Sequence, residues 1–139
     1  MDQYDVYIDL WKQLGILQSA VDTLWTSATE KNILHLARQL RETKRAIQEW
    51  SLFFNNRHLQ QLNEAIRILD NFHIGKNKLR NLRSKKQLSE FPRKFNESTI
   101  QQQIEQNGLY RQQFQTLIDQ IRATFRAKLS GHAQESLHS

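Results

Sequence analysis

The residues able to do chemistry in this chain concentrate in one segment, Gly75–Lys94, GKNKLRNLRSKKQLSEFPRK. It carries Lys76, Lys78, Arg80, Arg83, Lys85, Lys86, Arg93 and Lys94 against a single acid, Glu90. Elsewhere the charges nearly balance, with 8 bases and 9 acids in residues 1–74 and 4 of each in residues 95–139. The formal net charge of +6 therefore resides in this segment. Lysine and arginine at this density neutralise phosphates and release their counterions. Phe91 and Phe95, set around Arg93 and Lys94, offer ring faces on which bases of a single strand can stack. Such a patch attracts anionic partners and is screened by salt. A helix dipole stabilises cations only within its last turn, so it does not account for eight bases. The competing reading is a solvated charged face, with both Phe side chains plugging the end of the fold.

Catalytic and metal chemistry have little to work with. There is no Cys, which excludes disulfides, thiolate ligands and cysteine nucleophiles. The histidines are His35, His58, His73, His132 and His138. His132 and His138 lie in the tail, and of the others only His73 has an acid at helical spacing, Asp70 three residues before it. A di-metal site in a helical bundle needs Glu-x-x-His on two helices and carboxylates from two more, so one Asp-x-x-His falls short. No Walker loop, G-x-G-x-x-G, H-E-x-x-H or G-x-S-x-G is present. The expectation is a binding protein and no enzyme, with no catalytic residues, no metal and no cofactor.

The elements that must position the basic segment are helices. Four Gly and one Pro leave little punctuation, and Gln, Leu, Arg, Lys, Ile and Ala favour helix over strand. Tyr7, Leu10, Leu14, Leu17, Val21 and Leu24 step by 3 and 4, which predicts a helix over 3–26. Trp11 and Trp25 widen this stripe toward bundle packing. Asp2, Asp5 and Asp9 suit the positive end of the helix dipole, or form an acidic face for a basic partner. Ser27-Ala28-Thr29-Glu30 has capping-box spacing and predicts a second helix, running to about Phe54 on Ile33, Leu36, Leu40, Thr43, Ile47, Trp50 and Phe54. Phe53 and Phe54 cannot both enter one core, so one of them covers a bundle end or meets a partner.

Asn55-Asn56 marks the next boundary. Leu59, Leu62, Ile66 and Leu69 open a third helix, and Ala65, Ile68, Phe72, Gly75, Leu79 and Leu82 carry it to about residue 88. Gly75 then sits mid-helix at a close approach and not at a C-terminal stop. Phe91-Pro92 breaks the helix. Ser98-Thr99-Ile100-Gln101 predicts a fourth helix over about 99–129, with Ile104, Arg111, Phe114, Ile118, Ile121 and Phe125 as its stripe, Asn107-Gly108 as a kink or weak point, and Gly131 as its stop.

These elements predict an all-α, up-down-up-down four-helix bundle of long amphipathic helices. The domain spans 1–130, and 131–139 form a flexible tail. Mean hydropathy is −0.72 and no run approaches a membrane span, so the expected location is cytoplasmic. The first functional expectation is a small accessory factor that contacts nucleic acid or another polyanion through residues 76–94. The alternative is a protein-interaction or scaffold subunit, self-associating as a homo-oligomer or meeting another protein through its apolar stripes. An enzyme of unrecognised class ranks a distant third.

Overall fold

The computed structural model describes residues 2–88 and 93–138, with side chains for 2–84 and 98–131. The first stripe forms α1, Gln3–Thr26, with all six of its apolar positions buried. Asp2 caps it by accepting the Asp5 amide at 2.9 Å, satisfying one of the N–H groups that a helix start leaves unpaired. The second forms α2, Glu30–Glu49, and the third forms α3, Asn56–Leu88. Asn55 caps α3 by accepting the His58 amide at 2.9 Å. The fourth helix, α4, spans Arg93–His138. Short connections reverse the chain between α1 and α2 and between α2 and α3, and α4 packs along α3. The helices pack α1 on α2, α2 on α3, α3 on α4 and α4 back on α1, closing the ring of an up-down-up-down four-helix bundle. One continuous apolar core runs through it, from Val6 and Tyr7 near the start of α1 to Val21 and Leu24 near its end. No helix among the described residues is long and apolar enough to cross a membrane.

Four boundaries differ from the sequence expectation. Ser27 does not cap α2. Its amide instead donates to the Thr23 carbonyl at 2.9 Å and closes α1, so capping passes to Thr29, whose hydroxyl accepts the Asn32 amide at 3.1 Å. α2 stops at Glu49, short of Phe54, and a 3-10 turn over Ser51–Phe53 follows. That turn drops Phe54 into the core beside Tyr7, with ring centroids 5.0 Å apart, and leaves Phe53 partly exposed and Leu52 98% exposed. α4 begins at Arg93, so Ser98 and Thr99 lie inside it. Extending an existing helix is cheaper than nucleating another, so Ser98 and Thr99 do not mark a helix start. For the same reason Gly131 does not stop α4, which runs on to His138.

Asn107-Gly108 is likewise no weak point. α4 is unbroken there, Asn107 is fully buried, and Gly108 faces the Trp25 ring. Gly75 lies within α3 with no positive φ. A Cβ at Gly75 would sit 2.0 Å from Asn107 Oδ1 and 2.7 Å from Gln103 Nε2, so the missing side chain is what lets α4 approach. Gly75 is therefore required by packing, even though its backbone is one that alanine adopts freely.

At the end of the bundle where α1 begins, Tyr7, Phe54, His58 and Phe125 form an aromatic cluster. The Asn55 carbonyl oxygen takes the His58 amide, so its Nδ2 donates to His58 Nε2 at 3.3 Å. That assigns the ring proton to Nδ1, which donates to the Tyr7 hydroxyl oxygen at 2.6 Å. Burial lowers the His58 pKa, and the cations Lys128 and Arg57 lower it further. Burial also raises the Tyr7 pKa and keeps the phenol protonated.

Two outcomes test this packing. Gly75→Ala should destabilise the protein in urea by ~1–3 kcal/mol, as overpacking does. Adding Asn107→Ala should make the double change cost less than the sum of its parts. For His58, the unfolded ring titrates near the ordinary value of about 6.5 while the folded ring resists the proton. Its contribution is complete above pH ~6.5 and is lost as pH falls below it. Stability should drop between pH 7.5 and 5.5, and His58→Gln should flatten that drop.

Candidate anion-binding surface

The basic segment lies on the last turns of α3, the helix that the apolar stripe carries through Gly75. Leu79 is buried as the anchor, and Lys78 and Arg83 are exposed. Arg80 meets Glu30, the first residue of α2, at 3.5 Å, both side chains being well exposed. A pair of that kind contributes roughly 0–1 kcal/mol and leaves Arg80 available to a stronger anion. α3 then continues for eight residues beyond Arg80 to Leu88, roughly 12 Å at 1.5 Å per residue, and Arg83 in that stretch still lines a cavity with Thr26 and Ala28, where α1 turns into α2. Among the described residues Lys78 and Arg83 have no acidic partner. The side chains of Lys85, Lys86, Arg93, Lys94 and Phe95, and the whole of Phe91, lie outside the described residues.

Lys76 does not share that surface. It is only 5% exposed, and its ammonium lies 5.2 Å from the centroid of the Trp25 ring. The heptad explains its direction, since Lys76 stands seven residues after Leu69 and fourteen after Leu62, both fully buried. Burial lowers its pKa, and Arg83 lowers it further. No hydrogen bond or ion pair holds it among the described residues. The cation–π contact is its compensation, of order 2 kcal/mol when desolvated.

Trp25 gathers more than this lysine. Arg111 from α4 lies 5.4 Å from the same ring and donates to Asp22 Oδ1 through Nη2 at 3.0 Å and Nε at 3.2 Å. Beside them, Gln103 Nε2 donates to Asn107 Oδ1 at 2.9 Å, which leaves the buried Asn107 Nδ2 with no acceptor. A cavity of about 180 Å³ opens here, lined by Trp25, Thr26, Ala28, Lys76, Leu79, Arg83, Ile104 and Asn107. From the sequence, Trp25 reads as core, Asn107 as a turn residue and Arg111 as part of an apolar stripe. The one legible signal was the heptad position of Lys76.

Asp70 and His73 do not converge. Lys44 holds Asp70 at 2.8 Å, while His73 Nε2 faces the Ile33 carbonyl at 3.2 Å. Comparison of the chain with protein-family models, with curated proteins and with solved structures returned no match.

A buried ammonium without a carboxylate is a cost that one cation–π contact offsets only in part. Lys76→Met keeps the length of the side chain and removes the charge, so it should leave the unfolding midpoint in urea unchanged or raise it. A midpoint lowered by more than about 1 kcal/mol equivalent would mean that the contact with Trp25 outweighs the desolvation.

Proposed function

We propose that this is a non-enzymatic binding protein that contacts nucleic acid, or a polyanion of similar charge density, through the exposed basic end of α3. The observation that carries the reading is the unmatched charge on the exposed end of α3. Lys78 and Arg83 are exposed and unmatched by acids among the described residues, and Arg80 is only weakly matched. Arg80 and Arg83, three residues apart, share one face of a rigid helix and present a fixed charge spacing to a phosphate backbone, with Lys78 on the opposite face; the affinity comes mainly from counterion release. Lys76 leaves the set of surface contacts. Lys85, Lys86, Arg93 and Lys94, with Phe91 and Phe95 as stacking faces, remain in it on sequence grounds.

A second reading, as a protein-interaction or scaffold subunit, draws support from the other end of the bundle. Leu52 stands 98% exposed there beside the partly exposed Phe53. Large apolar side chains on a surface turn are a common signature of protein contacts.

Fluorescence anisotropy with single-stranded and duplex oligonucleotides at several salt concentrations tests the first reading. The logarithm of the binding constant should fall linearly with the logarithm of salt, with a slope of about −0.7 per contacted phosphate on single strands and about −0.9 on duplex. The triple change Lys78→Gln, Arg80→Gln, Arg83→Gln should weaken all sequences alike and flatten the slope by about one contact's share per removed base. Thermal stability should barely move. Salt-insensitive binding, or a triple variant that binds as tightly as the parent, removes the nucleic-acid reading and puts the scaffold reading first.

A further inference from the structure

We infer that the cavity beside Trp25 receives a phosphate monoester dianion, with Lys76 at its depth, Arg83 at its exposed rim and the Asn107 amide as a further donor. This rests on the polyanion reading for the source of that group, a terminal phosphate of a nucleic-acid strand, while inorganic phosphate is the free form of the same chemistry. Three observations converge. Lys76 is 95% removed from solvent and has no acceptor among the described residues. Asn107 is fully buried and lines the same cavity, and its Nδ2 has no hydrogen-bond partner. The nearby acid, Asp22, is engaged by Arg111, which leaves the charge of Lys76 and Arg83 uncompensated.

Size and charge choose the ligand. The cavity, about 180 Å³ and partly open to solvent, has room for one tetrahedral oxyanion. A terminal phosphate carries close to two charges at neutral pH and three acceptor oxygens, matching two cations and an amide, whereas an internal diester offers one charge. The indole wall and the apolar Leu79 and Ile104 keep the effective dielectric low, which strengthens each charge-assisted bond.

The experiment uses the full chain labelled with ¹⁵N. The Trp25 indole signal is assigned by its loss in Trp25→Phe. Three probes are titrated at low salt: an oligonucleotide with a terminal phosphate, tested at each end in turn, its hydroxyl-ended twin, and inorganic phosphate. The phosphorylated strand should bind roughly tenfold tighter than its twin, as charge-assisted hydrogen bonds imply, and should alone of the two shift the Trp25 indole. Lys76→Met should erase that preference while leaving the twin's affinity unchanged. If both strands bind equally and neither moves Trp25, the cavity holds only water and this inference fails while the basic surface stands. If neither strand binds yet inorganic phosphate shifts Trp25, the oxyanion site stands and the nucleic-acid reading falls. If no probe moves Trp25 and no strand binds, both fail. The comparison of strands in the parent protein decides the matter even where Lys76→Met folds poorly.

Discussion

The contact between Gly75 on α3 and Asn107 on α4 sets the geometry of the polar end of this bundle. A Cβ on Gly75 would lie 2.0 Å from Asn107 Oδ1, so the two helices meet where one of them has no side chain. A second glycine, Gly108, meets the Trp25 ring of α1, where an added Cβ would lie 3.3 Å from it. Two adjacent positions of α4 thus seat that helix against both α3 and α1. With α4 held there, Lys76, the residue after Gly75, is buried with its ammonium over the Trp25 ring. Arg111, one turn beyond Asn107, reaches the same ring and Asp22. The polar cluster follows from the close approach, because each member is within a turn of a glycine contact or of the ring it abuts.

The two ends of the bundle handle buried polarity differently. Around Tyr7 and His58 the hydrogen bonds run from the His58 amide to the Asn55 side chain and back through the ring to the phenol oxygen, and the neutral histidine carries no charge into the core. Around Trp25 the accounting stays open. An ammonium lacks an anion, an amide lacks an acceptor, and two arginines stand close by. Buried groups left unmatched in this way cost stability, and an anion is what would balance them.

Much of the fold was legible in the chain. The 3-4 stripes of α1, α2 and α3 marked most of their buried faces, with Lys76 the chief exception, since helical period and burial are the same information read along and across an axis. The continuation of α3 through Gly75 was legible for the same reason. The start of α2 and the ends of α2 and α4 were not. Capping boxes, a late Gly and an aromatic register are local signals. Whether they act depends on where the neighbouring chain needs to turn and on whether a helix is already running.

For the candidate site, the sequence by itself determined that the excess charge sits between residues 76 and 94 and that a helix carries it, because charge and periodicity are properties of order along the chain. Only the tertiary structure decided which of those charges face water. Lys76 and Lys78 are two residues apart, yet one is buried against an indole and the other is exposed, because two residues turn a helix by about 200°. It also brought Trp25, Lys76 and Asn107 together from three different helices. No spacing along the chain encodes that meeting. It comes from the packing of α3 and α4 at a glycine, where a pair of side chains is chosen by the distance between two axes.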